Sequence, residues 1–216
     1  MAIKAIVFSD AQAGLIKTAF DEALEWGCEE LTGLRGEIKR FYLTEQARRC
    51  CYCRKQIQTN HGRVWDVEHV IARVLRPDFT FEPENLAVAC IDCNSAKSDQ
   101  NILVVERRTF PRRSDAYSII HPHYDEWEDH LFFGNALFAP KSEKGARTIV
   151  ICKLYRYYNL EGGEALLTKD RRYADLAENM LLAKTALEAE PYSLAIGALV
   201  KRAVADELKP NPAEED

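Results

Sequence analysis

Apolar residues recur along this chain in more than one rhythm, and each rhythm predicts an element. From residue 2 to residue 8 they crowd together in a weak alternation rich in Ile, Val and Phe, which predicts a short strand. Leu15, Ile16, Ala19, Phe20, Ala23, Leu24 and Trp26 share one broad face at helical spacing, which predicts a helix over 11–31. Gly33 and Gly36 then mark a break. Thr44, as an N-cap, opens a second helix toward Cys50. Residues 53–75 should hold a loop and a strand pair, with Asn60-His61-Gly62 as a turn and Val64-Trp65-Asp66-Val67 as strand. Asn94, a good N-cap, should open a helix reaching about Ile102.

Downstream, Arg107–Arg113 reads as an exposed connector. Residues 131–158 suggest strands, above all Thr148-Ile149-Val150-Ile151-Cys152. From Glu164 onward the pattern is helical: Tyr173, Leu176, Ala177, Met180, Leu181, Lys184 and Leu187 keep the i, i+3, i+4 spacing. Pro191 should stop that helix, and Ser193–Leu208 should supply another. The acidic, proline-bearing tail 209–216 reads as disordered. The pattern contains no internal repeat.

Composition changes this picture little. A chain of 216 residues, 47% hydrophobic and 29% charged, is ordinary for a globular protein and long enough for a core without disulfides. No run approaches the roughly 18 apolar residues of a membrane span, and the apolar N-terminus is too short for a signal peptide, so a cytoplasmic protein without a membrane partner is expected. A net charge of −5 argues against a generic nucleic-acid binder, but its distribution is uneven. Arg40–Arg113 holds 13 Lys/Arg against 9 Asp/Glu, compatible with one phosphate-facing region on an acidic body or with chance clustering.

The cysteines change it most. Seven is an odd number, and four fall as two C-x-x-C pairs, Cys50/Cys53 and Cys90/Cys93, with Cys51 a rival to Cys50. Thiolate–metal chemistry fits this better than disulfides, and four thiolates suit one structural zinc. Cys28 and Cys152 read as small buried apolar residues. The 36 residues between the inner cysteines exceed a simple ribbon loop, so the insert should itself be folded, in the order strand, loop, helix.

That insert carries chemistry. Imidazole ordinarily titrates near neutral pH, so His69 suits a general base, though a structural histidine or a zinc ligand is the plainer alternative. Glu68 and Asn94 offer oxygens for a hard divalent cation, Mg2+ or Mn2+; the alternative for Asn94 is the helix N-cap, alone or in addition. Asn85 is expected to hold the His69 backbone, or else to form an Asx-turn. Lys97 could meet a phosphate or be a solvated lysine, and Arg48, Arg49, Arg54, Lys55 and Arg107 could hold flanking phosphates.

Cys50-Cys51-Tyr52-Cys53, Glu68-His69-Val70-Ile71, Glu84-Asn85-Leu86 and Cys90-x-x-Cys93-Asn94-x-x-Lys97 together resemble the zinc-bearing HNH endonuclease family. The resemblance covers about residues 47–103. It implies an α+β fold with a zinc-clamped ββα-metal core, an N-terminal helix and a mostly helical C-terminal region. It also implies His69 as general base, Asn85 as orienting residue, and Glu68 with Asn94 as ligands of one catalytic cation, acting on DNA. Many members have aspartate where this chain has Glu68, and the third motif letter here is asparagine rather than histidine. The expected divisions are 1–46, an N-terminal region; 47–113, the nuclease core; 114–208, an accessory region; and 209–216, the tail. The stretch from His121 through His130, followed by Ser142-Glu143-Lys144-Gly145, is loosely similar to HNH effectors of bacterial anti-phage modules, of the Septu and retron-linked types, which implies an ATPase partner. By their chemistry His121, His123, Asp125 and His130 could bind a metal or form a polar seam joining the C-terminal half to the core.

Overall fold

Helix α2 (Thr32–Glu45) shows how local preference yields to burial in this chain. It runs straight through Gly33 and Gly36, the expected break, although glycine costs a helix roughly 1 kcal/mol relative to alanine. Leu34, Ile38 and Tyr42 lie four residues apart on one face and are buried, which outweighs that cost. Thr44 therefore closes a helix rather than opening one; its hydroxyl donates to the Arg40 carbonyl.

The computed structural model describes residues 2–59, 64–134, 137–159 and 171–207, and among these the architecture is α+β, with seven helices and two small antiparallel sheets. The expected turn at Asn60–Gly62 and the tail 209–216 lie outside the described residues. Residues 2–8 are extended but pair with no strand. Their N–H groups go elsewhere: Ile3 to the Pro122 carbonyl, Lys4 to Glu45 and Ile6 to the Tyr42 hydroxyl. Helix α1 (Asp10–Asp21) starts on a Ser9 capping box and ends ten residues earlier than expected. Ala23, at φ 51°, turns the chain so that Trp26 leaves the helical path.

Strand β1 (Trp65–His69) and strand β2 (Leu86–Cys90) form the first sheet, with Trp65 opposite Cys90 and His69 opposite Leu86. Helix α3 (Ile91–Lys97) follows without a loop. Cys90, not Asn94, occupies its N-cap position, so the second C-x-x-C forms the strand end and first helical turn. Asn94 instead sits mid-helix. A short helix α4 (Trp127–His130) leads into the hairpin of β3 (Leu131–Gly134) and β4 (Leu137–Pro140).

The strand expected at Thr148–Cys152 is the end of helix α5 (Glu143–Ile151). Its β-branched run favours strand locally, but Ser142 caps the helix through the Gly145 N–H, and Ala146, Ile149 and Ile151 are buried. Thr148 is satisfied inside the core: it donates to the Lys144 carbonyl at 2.8 Å and accepts from the Ile120 N–H at 2.9 Å. Gly145 is required by contact, since a Cβ there would stand 1.9 Å from the His130 carbonyl oxygen. Helices α6 (Arg171–Leu182) and α7 (Ala186–Glu207) pack together. Pro191 lies inside α7 and does not end it. Proline removes the hydrogen bond to the carbonyl of Leu187, and because Leu187 is 79% exposed, water can solvate that group.

One hydrophobic cluster runs from Ile6 to Leu154 and includes the β1–β2 hairpin. Tyr42 crosses it: its hydroxyl accepts from the Ile6 N–H and donates to the Pro83 carbonyl at 2.7 Å. Among the described residues no helix is long and apolar enough to cross a membrane.

Candidate functional site

The base of the β1–β2–α3 unit is a cage of sulfur. Cys50, Cys53, Cys90 and Cys93 are buried, and their Sγ atoms lie within 4.8 Å of one another, with Cys53 and Cys90 3.9 Å apart. Tetrahedral zinc with Zn–S of about 2.3 Å needs sulfurs about 3.8 Å apart, so the donor set and its spacing fit one structural zinc. Cys51 stands outside the cage; its N–H is spent on the Val88 carbonyl. Burial pushes the Cys50 thiol upward, so a metal here must displace thiol protons. Among the described residues this is the one grouping of three or more His, Cys, Asp or Glu close enough to share an ion.

Above the cage, Glu68, His69, Asn94 and Lys97 line one cavity of about 290 Å³, together with Trp26 and Arg73. His69 ends β1 and is 8% exposed. Its Nε2 lies 3.1 Å from the Thr80 carbonyl. A carbonyl only accepts, so Nε2 carries the proton and the neutral ring keeps its lone pair on Nδ1. Burial, and then the Arg73 charge, push the imidazole down to about 3, so it is neutral at pH 7. The Trp26 ring meets it edge to face at 4.6 Å, and the Arg73 guanidinium lies 5.7 Å from the same indole.

Asn85 is fully buried and holds the chain that follows His69. Its Oδ1 accepts from the Ile71 N–H at 2.7 Å, and its Nδ2 donates to the Ile71 and Phe79 carbonyls. Its own carbonyl accepts from the Val70 N–H at 2.9 Å. The staple therefore grips residues 70 and 71 and not the His69 backbone itself, which Lys97 holds instead through the carbonyl at 3.1 Å.

Glu68 and Lys97 depart from their expected settings. Both side chains are 1% exposed, and Lys97 Nζ lies 2.8 Å from Glu68 Oε1. The Tyr52 hydroxyl donates to the same oxygen at 2.9 Å. Lys97 is therefore neither a solvated lysine nor a surface phosphate contact, because the Glu68 charge in the interior demands a cation beside it. Asn94 Nδ2 donates to Asp66 Oδ2 at 2.9 Å. Asp66 and Glu68 lie two residues apart on one face of β1, so the oxygen donors near Asn94 include a carboxylate that motif reading passed over.

Arg48, Arg49, Arg54 and Lys55 lie on and around the first cysteine knuckle, and none lines the His69 cavity. The Arg48 guanidinium donates to the Thr59 carbonyl, and that of Arg49 to the Arg54 carbonyl. Arg107 lies in the exposed connector, lining a separate recess with Arg76, Glu106 and Arg108, where Arg76 grips the Arg107 and Arg108 carbonyls. Within the same connector Phe110 and Pro111 are buried.

The histidines beyond residue 120 form the polar seam. Asp125 accepts from the His121 N–H and from Lys144, each at 2.7 Å, and from the Ser114 hydroxyl, with His130 Nε2 at 3.5 Å. His123 Nε2 donates to the Leu86 carbonyl at 2.8 Å, which ties the seam to β2.

Trp26, Asp66, Arg73 and Thr80 are site residues that the motifs did not supply. Arg73, four residues beyond His69, and Asp66, two before Glu68, carried a local signal as charged residues close to the motif; Trp26 and Thr80 carried none. Comparison with protein-family models, with curated proteins and with solved structures finds no match to this chain.

Proposed function

We propose that this chain is a metal-dependent endonuclease of the zinc-bearing HNH kind, hydrolysing phosphodiester bonds of DNA. The observation that carries the reading is His69: a buried, neutral imidazole with one nitrogen committed to the Thr80 carbonyl, lining a cavity together with Glu68 and Asn94. A general base needs a free lone pair and a fixed ring, which this arrangement supplies. Burial and Arg73 make the imidazole a weak base by themselves, and the negative charge of a phosphate beside it would strengthen it. His69 Nδ1 takes the proton from the attacking water. Trp26 and Thr80 keep the ring from turning, and Asn85 keeps the following loop from moving. Arg73 offers its charge to a phosphate oxygen. A hard divalent cation, Mg2+ or Mn2+, held by Glu68 and Asn94 would neutralise charge developing on the scissile phosphate. The donors are oxygens, which fits such a cation, and it would compete with the Lys97 ammonium for Glu68. Zinc on the four cysteines holds the hairpin and helix and takes no part in the chemistry.

The loose resemblance of residues 121–130 and 142–145 supports an anti-phage role beside an ATPase. The test is nicking of supercoiled plasmid with Mg2+ or Mn2+: wild-type protein nicks, and folded His69→Ala loses at least about 10²-fold. Full activity in His69→Ala would end the reading.

The buried Glu68–Lys97 pair favours a second reading, a zinc-dependent nucleic-acid-binding or adaptor module without catalysis, because the expected cation ligand already has a partner. That reading expects oligonucleotide binding without cleavage under every cation. An RNase using the same site is separated by offering single-stranded RNA beside plasmid DNA.

A further inference from the structure

The sulfur cage has a fifth protein neighbour that belongs to neither C-x-x-C. After α5, residues Leu154–Asn159 form a 3-10 turn, and Arg156 on that turn reaches back to the cage. Its Nη2 lies 3.0 Å from Cys93 Sγ and 4.0 Å from Cys90 Sγ. Its Nη1 donates to the Cys152 and Lys153 carbonyls, so the guanidinium is fixed at the end of α5 before it meets the sulfur. Leu154, two residues earlier, is fully buried and anchors the same corner, and Lys153, at φ 47°, makes the bend.

We infer that Arg156 is an outer ligand of the four-cysteine metal site: it donates N–H···S hydrogen bonds to the metal-bound thiolates of Cys93 and Cys90 and slows loss of the metal. The argument is electrostatic. A divalent ion bound by four thiolates leaves an excess of negative charge, and the four sulfurs sit on residues no more than 2% exposed. Charge buried without compensation is costly, and a guanidinium in hydrogen-bond contact is strong compensation. The same bonds withdraw electron density from sulfur, which makes the thiolates poorer nucleophiles and poorer bases toward the protons that displace metal. A contact spanning 63 residues of sequence also ties the end of α5 to the cysteine knuckles, so metal binding and docking of that corner support each other. The inference rests on the four-cysteine site alone and is independent of the nuclease reading.

The test uses the full chain loaded with Zn2+ and challenged with excess chelator, with release followed by a chromogenic metal indicator. Arg156→Met should release zinc about 10–100-fold faster than wild type, the usual scale for loss of an outer partner, and Arg156→Lys should fall between. In the Co2+-loaded chain, the thiolate-to-cobalt charge-transfer band should move to lower energy in Arg156→Met. Leu154→Ala loosens the same corner without touching sulfur and should leave the band in place. Arg156→Lys retains the charge, so its band position reads the sulfur contact even where Arg156→Met does not fold. Wild-type release and an unmoved band in both Arg156 variants would overturn the inference, as would a Leu154→Ala protein that reproduced both effects.

Discussion

Lys97 Nζ lies 2.8 Å from Glu68 Oε1 at a depth where each side chain is 1% exposed. The ammonium also donates to the His69 carbonyl at 3.1 Å, so one buried cation fixes both the acid and the backbone of the imidazole beside it. Deleting one partner of such a pair strands the other charge and typically costs about 3–5 kcal/mol. Lys97→Met should lose stability on that scale in urea denaturation, whereas Glu68→Leu/Lys97→Met should recover most of the loss. Additive losses in the double-mutant cycle would show that the two groups do not compensate each other.

His69 makes stability depend on pH. The folded chain holds the ring neutral down to about pH 3, against an ordinary value of 6.5. As pH falls, the unfolded chain binds a proton that the folded chain refuses, so this stability is complete above about pH 6.5 and is lost between about 6.5 and 3. The full loss is on the order of 5 kcal/mol. His121 and His123, both lowered first by burial, act in the same direction. Urea midpoints from pH 7.5 to 5 should fall less steeply in His69→Gln than in wild type; parallel curves would contradict the assignment.

Arg73 should report on nucleic acid. It has no carboxylate partner among the described residues and stands beside the cavity on the Trp26 face. If it meets a phosphate, Arg73→Ala should weaken oligonucleotide binding without regard to sequence and reduce the slope of log K against log salt by about 1. An unchanged slope would remove Arg73 from the interface.

Zinc content separates the adjacent cysteines. Cys51 is buried but lies outside the cage, so Cys51→Ala should keep one zinc per chain, while Cys50→Ala should lose it together with ellipticity from the hairpin-and-helix unit. Atomic absorption on the two purified proteins settles the choice; zinc lost from Cys51→Ala and kept by Cys50→Ala would invert it.

Gly145 tests the packing of α5. A methyl group there would collide with the His130 carbonyl, which belongs to the backbone and cannot rotate away. Gly145→Ala should destabilise by about 1–3 kcal/mol or more, seen as a lowered melting temperature. A wild-type melting temperature would mean that α4 and α5 separate at little cost.

The parts of this molecule legible in sequence are those whose causes are local. The C-x-x-C spacing announced each half of the cage, and the strand character of Val64–Val67 announced β1, because each is written in residues a few positions apart. Long-range causes decided the rest. Gly33 and Gly36 read as a break until Leu34, Ile38 and Tyr42 find a core to enter. Thr148–Cys152 reads as strand until the Ser142 cap and the Ile120 N–H are in place. The Glu68–Lys97 pair and the Arg156–Cys93 contact join residues 29 and 63 apart, and nothing in either neighbourhood names the other.

The Tyr42 hydroxyl, held between the Ile6 N–H and the Pro83 carbonyl, gives the opening segment a mechanical reach beyond its own surface. Pro83 begins the turn that ends at Asn85, and Asn85 sets the path of the chain leaving His69. A tug on residues 2–8, from a fused tag or a bound protein, would travel through one phenol to the loop beside the imidazole.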